Sequence, residues 1–66
     1  MVFINAQELA KQMKQWQLKD RLTAREMANK VNISVRSIYR FFNAETTYIQ
    51  IGVARRLSRF VDIQWC

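Results

Sequence analysis

The sequence predicts an all-α fold: a compact domain of four to five short helices that spans residues 1–66. Proline is absent and Gly52 is the only glycine, so few residues interrupt a helical backbone. Apolar residues recur at intervals of three and four along most of the chain, which is the period of an amphipathic helix. Helix-start signals at four positions then divide the chain into segments of helical length.

Each of the four start signals is a side chain that can accept a hydrogen bond from the first helical turn. Three of them are capping boxes, in which a Glu or Gln three residues later can reach back to the capping residue. The boxes begin at Asn5, Thr23 and Thr47, and the fourth signal is the hydroxyl of Ser34. The sequence therefore predicts helices that begin directly after these four residues.

The apolar stripes behind the caps are predicted to form the core. The expected core residues are Ala6, Leu9, Ala10, Met13 and Trp16, then Met27, Ala28 and Val31, then Ile38, Phe41 and Phe42, and finally Ile49, Val53, Leu57, Phe60 and Val61. Gly52 falls inside the predicted fourth helix, where glycine costs about 0.5–1 kcal/mol relative to alanine. We therefore expect close packing there, either against the first helix or against a partner subunit.

Residues 61–65 alternate apolar and polar side chains, which is the period of a strand. They could instead form a last helical turn that packs Trp65 on the core. In either conformation the end of the fourth helix, with Phe60, Val61, Ile63 and Trp65, is the predicted dimer interface. A chain of this size buries too little core for high stability alone, which favours self-association.

Charge narrows the choice of partners. Eleven Lys and Arg residues face five Asp and Glu residues, for a net charge of +6. This excess predicts a polyanionic partner, with nucleic acid first and an anionic membrane surface second. No apolar run approaches the ~20 residues of a membrane span, and no signal-peptide pattern is present, so a cytoplasmic protein is expected. A single cysteine, Cys66, is compatible with that reducing compartment.

The residue types argue against catalysis. The chain has no histidine and one thiol, which cannot hold a zinc ion, so no metal or other cofactor is expected. It also has no acid cluster and no plausible pair of nucleophile and base. We therefore expect neither an enzyme nor a small-molecule ligand.

The break between the second and third predicted helices is very short. Ser34 caps a new helix only three residues after Val31, without proline or a loop. Asn32 stands where a tight turn needs positive φ, which Asn tolerates better than other non-glycine residues. Ala28 is small enough for two helices to cross closely. This spacing predicts a helix-turn-helix, whose helices pack at about 90–120°.

The segment 22–42 resembles the helix-turn-helix of Cro-like and phage-repressor-type proteins. The match includes an opening Leu-Thr, an apolar-Ala pair, an apolar-Asn-apolar-Ser turn and an Ile four residues beyond Ser34. Two positions depart from the family pattern: Ala24 stands where Gln is frequent, and Asn32 where Gly is more frequent. Tyr39 and Phe42 also resemble the reading helix of tetracycline-repressor-type regulators. Those regulators need a large ligand domain that is missing here, so the Cro-like comparison is preferred.

The resemblance implies a bacterial, prophage-type repressor that is associated with the nucleoid and binds operator half-sites as a homodimer through the major groove. The outer face of the third helix combines cationic, aromatic, amide and small apolar side chains, which suits base edges. The predicted base-reading residues are Ser34, Val35, Arg36, Ser37, Tyr39, Arg40 and Asn43. The predicted phosphate contacts are Thr23, Arg25, Lys30, Thr46 and Thr47.

Two other functions remain open at this stage. An excisionase-like factor would bend DNA for a recombinase, and the residues do not separate that role from repression. A protein-interaction module, such as an antitoxin, would use the exposed aromatic side chains and would lack salt-dependent affinity for DNA.

Overall fold

The structure is a computed structural model, and it describes residues 2–62. Four helices make up most of this part of the chain: α1 (Ala6–Asp20), α2 (Ala24–Val31), α3 (Val35–Phe42) and α4 (Ile51–Leu57). Two short strands, β1 (Val2–Phe3) and β2 (Tyr48–Ile49), form an antiparallel sheet that the sequence did not predict. The mostly helical fold class is thus confirmed, with a two-stranded addition.

The predicted capping box at Thr23 is complete. The Glu26 N–H donates to the Thr23 hydroxyl over 3.1 Å, and the Thr23 N–H donates back to the Glu26 carboxylate over 2.9 Å. The hydrogen bonds from the backbone and the hydroxyl of Thr23 lower the pKa of the Glu26 carboxyl below its ordinary value. Two of the orphan donors at the start of α2 are therefore satisfied locally.

The caps at Asn5 and Ser34 are also confirmed. Asn5 Oδ1 accepts from the Glu8 N–H over 3.0 Å, while the Glu8 carboxylate accepts from a glutamine one turn later instead of reaching back to Asn5. Ser34 Oγ accepts from the Ser37 N–H over 3.3 Å. Helices α1, α2 and α3 thus begin where the sequence predicts.

The prediction that a helix begins after Thr47 is wrong. Helix α4 begins at Ile51, after Gln50, whose side chain makes no capping bond. The Thr47 carbonyl instead accepts from the Ile4 N–H over 2.9 Å, and β2 pairs with β1 in the next two positions. Ile4 and Ile49 are both buried, and burial of two such side chains outweighs one local cap, which is worth about 1 kcal/mol.

Three helices end in the same left-handed turn, and none of the three uses glycine. Arg21, Asn32 and Ala44 have φ angles of 53°, 59° and 56°. The positive φ predicted for Asn32 is thereby confirmed. Beyond Ala44, the Glu45 N–H bonds to the Arg40 carbonyl over 3.0 Å, which closes a Schellman motif.

The core lies where α3 packs against α1 and α2, with α2 also in contact with α4. The predicted core is largely confirmed. The buried apolar residues are Ile4, Leu9, Ala10, Met13, Trp16, Ala24, Met27, Ala28, Val31, Ile38, Phe41, Ile49, Ala54, Leu57 and Val61. Phe42 and Val53 are partly buried against this cluster, and Ala6 is half-buried. The prediction that Phe60 belongs to the core is wrong, since its side chain is exposed.

The predicted dimer-interface residues fall into two groups. Phe60 remains 38% exposed while its ring stacks on Trp16, with centroids 4.7 Å apart. Val61 is buried in the core, so its side chain offers little area to a second copy. Ile63 and Trp65 lie outside the described residues, as does most of the alternating segment.

No described segment of the same chain packs closely against Gly52, and packing against a partner subunit stays a prediction. Gly52 is exposed, and a Cβ added there would meet only the Arg56 guanidinium, at an ordinary 3.6 Å. Arg56 itself is occupied elsewhere, since its Nε donates to the Val31 carbonyl over 2.7 Å. This charge-assisted bond satisfies a carbonyl at the end of α2 and links α4 to α2.

Candidate nucleic-acid interface

Helices α2 and α3 are joined by Asn32, Ile33 and Ser34 alone. The turn is closed by a bond from the Ile33 N–H to the Ala28 carbonyl over 3.0 Å. Val31 before the turn is fully buried, and Ile33 packs partly against the same core cluster. Local bonds and apolar packing therefore hold α3 in a defined position relative to α2.

Helix α3 has a buried face and an exposed face. Ile38 and Phe41 are buried, as the sequence predicts. The exposed side chains are Arg36, Tyr39, Arg40 and Asn43. Val35, which the sequence places on the outer face, is instead half-buried and packs partly against the core. Its side chain is therefore less available to a partner than those of the four exposed residues.

The exposed face of α3 carries two guanidinium groups and no acid. Among residues 2–62, Asn43 is the one member of this face with a side-chain hydrogen bond, a long one of 3.5 Å to the Glu45 carboxylate. Arg36 and Arg40 thus keep their donors for a partner. An Arg fork matches the acceptor pair of guanine and also the oxygens of a phosphate.

Tyr39 is held by an aromatic neighbour. Its ring is 55% exposed and meets Phe42 edge to face, with centroids 6.5 Å apart. Phe42 is partly buried against the core, so it supports the Tyr39 ring from the protein side. A supported aromatic side chain loses little conformational entropy when it binds, and its hydroxyl remains available at the surface.

The N-terminus of α3 carries two hydroxyl groups. Ser34 Oγ and Ser37 Oγ lie 3.0 Å apart and share a hydrogen bond. Ser34 is exposed, Ser37 is half-buried, and the first turn of α3 contains no acidic residue. The partial positive charge at a helix N-terminus therefore has no carboxylate beside it in its own first turn.

A groove of about 300 Å³ runs between α3 and the segment that follows it. The groove brings Ser37 and Arg40, two predicted base-reading residues, beside Thr46 and Thr47, two predicted phosphate contacts. Glu45 also lines it, as the one carboxylate among the lining residues. Together the hydroxyls and the guanidinium that line the groove form a set of donors suited to phosphate oxygens.

The other predicted phosphate contacts lie on or beside α2. Thr23, Arg25 and Lys30 are all exposed, and none of them lines the groove. The Thr23 hydroxyl already accepts a hydrogen bond within the capping box, and its own O–H remains a possible donor. The phosphate candidates therefore form two groups, one on each side of the exposed face of α3 in chain order.

The structure also reveals two features that sequence reasoning missed. Phe3 and Tyr48 are 62% and 50% exposed, and their rings meet edge to face across the β1–β2 pair at 6.4 Å. The run of β-branched and aromatic residues at 46–49 was the available signal for β2. The Arg56–Val31 bond joins residues 25 positions apart, and no local pattern indicates it.

Within the described residues, no helix combines the length and the apolar character needed to cross a membrane. The same part of the chain contains no group of three or more His, Cys, Asp or Glu side chains placed to hold a metal ion. Comparison with protein-family models, with curated proteins and with solved structures found no match to this chain.

Proposed function

We propose that this protein is a sequence-specific DNA-binding regulator that places α3 in the major groove. The observation that carries the proposal is the exposed face of α3, where Arg36, Tyr39, Arg40 and Asn43 stand together and no residue of the helix itself is acidic. Helix α3 has 8 residues and is therefore about 12 Å long, comparable to the width of the groove.

The side chains have separate roles in this proposal. Arg36, one turn from the N-terminus of α3, bonds to guanine, and Tyr39 contacts a neighbouring base or sugar edge. Arg40 and Asn43 lie further along, where they reach either a base or a phosphate. Ser34 and Ser37 contact the DNA strand beside the helix N-terminus, and half-buried Val35 offers a small apolar surface to a thymine methyl group.

The two groups of phosphate contacts would fix the orientation of α3. Thr23, Arg25 and Lys30 hold one strand from α2, while Thr46 and Thr47 hold the backbone beside the groove next to Arg40. Contacts of this kind set register and affinity but do not read sequence. The net charge of +6 adds long-range attraction to DNA.

A homodimer completes the proposed function. One module of this size covers roughly 600–1,000 Å² on DNA, and two modules on half-sites one helical turn apart give stronger discrimination. Bound at a promoter, such a dimer represses transcription by exclusion of polymerase. In this proposal the dimer acts as a prophage-type repressor in the bacterial cytoplasm.

Selection of bound DNA from a random pool, repeated at two salt concentrations, tests the proposal. We expect a palindromic consensus and an affinity that falls steeply with salt. Enrichment of bent but unrelated sequences would instead favour a DNA-architecture factor. Absence of any salt-dependent enrichment would contradict DNA binding and favour a protein-interaction module.

Replacement of Arg36 tests the base-reading role directly. Arg36→Ala should weaken binding to the selected site by about 1–3 kcal/mol, and should relax the preference at one base pair. The matched control is Arg55→Ala, which removes the same charge from an exposed position on α4. Equal losses in both variants, or unchanged discrimination in Arg36→Ala, would remove Arg36 from the base-reading set.

A further inference from the structure

The groove beside α3 contains more than the donors that a phosphate needs. Phe41 and Ile49 line it although they are only 4% and 5% exposed, so buried apolar atoms form its inner wall. The half-buried side chains of Ile33 and Val53 line it as well. A phosphate is strongly hydrated and gains nothing from this apolar wall. The groove volume of about 300 Å³ lies at the lower end of the range for ligand sites, which suits a small metabolite.

Two opposite charges line the same groove. They are the Arg40 guanidinium and the Glu45 carboxylate, and both side chains are exposed. The two residues meet at the end of α3, where the Glu45 N–H bonds to the Arg40 carbonyl over 3.0 Å. The Asn43 amide donates to the Glu45 carboxylate over 3.5 Å, and a carboxylate can accept further bonds. The groove therefore offers a cation and an anion together with an apolar wall.

This pair of charges decides which class of ligand fits. A free phosphate or other small anion would meet the like charge of Glu45, and a simple cation would meet that of Arg40. An uncharged apolar molecule would leave both charges without a partner. A zwitterion satisfies both of them. An α-amino acid carries its carboxylate and its ammonium on one carbon, and an apolar side chain on that carbon can cover the inner wall.

We propose that this groove binds a free α-amino acid with an apolar side chain, such as leucine. Arg40 and the hydroxyls of Thr46 and Thr47 donate to the carboxylate, and Glu45 accepts from the ammonium. The side chain of the ligand lies against the apolar wall. Residue types alone do not predict such a ligand, because the groove exists only in the folded chain.

The consequence for regulation rests on the proposed function. Arg40, Thr46 and Thr47 are the groove residues assigned there to DNA contact, and the amino acid occupies the same donors. Ligand and DNA therefore exclude each other, and each lowers the affinity of the protein for the other by the same factor. An apolar amino acid would thus act as an inducer that releases the protein from its site.

A nuclear magnetic resonance titration of the full chain without DNA tests the site, with leucine added to about 10 mM. We expect a dissociation constant of about 1 mM or below, with amide shifts concentrated at residues 45–50 and at Val53. Three analogues each lack one part of the ligand. Leucinamide lacks the carboxylate, 4-methylpentanoate lacks the ammonium, and glycine lacks the side chain. Each should bind at least about 10-fold more weakly than leucine.

Two variants assign the charged ends of the ligand. Arg40→Gln should weaken leucine at least about 10-fold but leucinamide less than about twofold, because leucinamide has no carboxylate to lose a partner. Glu45→Gln should weaken leucine to a similar extent but should not weaken 4-methylpentanoate, which has no ammonium. The matched control is Arg55→Gln, which removes the same charge from an exposed position on α4 and should change leucine affinity less than about twofold.

Three outcomes would overturn the site: no leucine binding at about 10 mM, equal losses for leucine and leucinamide in Arg40→Gln, or shifts concentrated at Trp16 and Phe60 instead of the groove. The regulatory consequence is measured on the selected DNA site. Saturating leucine should lower the affinity of wild type for DNA at least about 5-fold, and that of Glu45→Gln less than about twofold at the same leucine concentration. An unchanged wild-type affinity would contradict the inducer role.

The two proposals can fail separately. The titration contains no DNA, so failure of DNA selection leaves the amino-acid site standing and removes only its regulatory consequence. A protein that selects a DNA consensus but ignores every apolar amino acid would retain the proposed function and lose this inference.

Discussion

The two connections on either side of α3 are stabilised by different kinds of contact. The connection before α3, residues 32–34, has a positive-φ Asn, a partly buried Ile and a Ser cap in immediate succession. The connection after it, residues 43–50, contains a positive-φ Ala, a capping pattern that caps nothing, and a strand paired with the other end of the chain. The first is determined by neighbouring residues, and the second depends on tertiary contacts.

The comparison matters for the candidate interface. The connection before α3 ends in the cap of the helix that carries the exposed face. Thr46 and Thr47, which line the groove, belong to the connection after α3. We therefore expect base-reading residues to be held by local structure, and the second group of phosphate contacts to be held by the packing of β1 and β2.

Among the changes that test this comparison, replacement of Ile49 should have the largest effect on stability. Ile49→Ala removes a buried anchor of β2 and should lower the free energy of unfolding by about 2–5 kcal/mol, and Ile49→Val by about 0.5–1.5 kcal/mol. Urea unfolding measures both variants. The control is Ile51→Ala, an exposed residue two positions later, which should change stability by less than about 0.5 kcal/mol.

The structure of the folded molecules in the Ile49 variants then shows whether the two connections depend on the same contacts. Nuclear magnetic resonance should show that the contact between Phe3 and Tyr48 weakens while the positive φ of Asn32 persists. Loss of the Asn32 conformation together with the strand pairing would show that both connections depend on the same tertiary contacts, against the distinction drawn above.

The two threonines of the predicted capping boxes provide the next test. Thr23→Ala removes a cap that the structure contains and should destabilise the protein by about 1 kcal/mol. Thr47→Ala removes a side chain that caps no helix, and should cost less than about 0.5 kcal/mol because its carbonyl still accepts from Ile4. Equal costs would contradict the difference between the connections.

The pH dependence of stability adds a second measurement at Thr23. Because the pKa of Glu26 is lower in the folded state, its contribution is present above the ordinary value of 4.5 and is lost as the pH falls through the folded-state pKa. As the pH falls through that range, the urea concentration at the midpoint of unfolding should decrease more for wild type than for Glu26→Gln. A matching fall in Glu26→Gln would assign the effect to other carboxylates.

A modest gain of stability is expected at Ala44. Alanine in the left-handed region costs about 1–2 kcal/mol, and glycine removes that strain but loses more entropy on folding. Ala44→Gly should therefore raise the free energy of unfolding by roughly 0.5–1 kcal/mol in thermal or urea unfolding. A loss of stability would mean that contacts of the Ala44 methyl group outweigh the backbone strain.

The sequence predicted the beginnings of α1, α2 and α3 because each depends on groups within three or four residues. The same locality explains why the turn at Asn32 and the exposed side chains of α3 could be placed in advance. Val35 was misplaced because its position at the border of the helix face is decided by how far the core extends around α3.

The pairing of β1 with β2 could not be predicted by the same reasoning, because its partners are about 45 positions apart in the chain. The local pattern at Thr47 favoured a helix, and burial of Ile4 and Ile49 outweighed it. The Arg56 bond to Val31 and the groove beside Arg40 likewise depend on segments that meet only in the folded chain.

The sequence by itself determined the helical class, three of the four helix starts, the turn at Asn32 and the cationic exposed face of α3. These follow from hydrogen bonds and apolar spacing over a few residues. Tertiary structure alone decided where α4 begins, that a sheet forms, and that Thr46 and Thr47 stand beside Arg40. Those features depend on which distant apolar side chains are buried together, and that free energy exceeds the preference of any single cap.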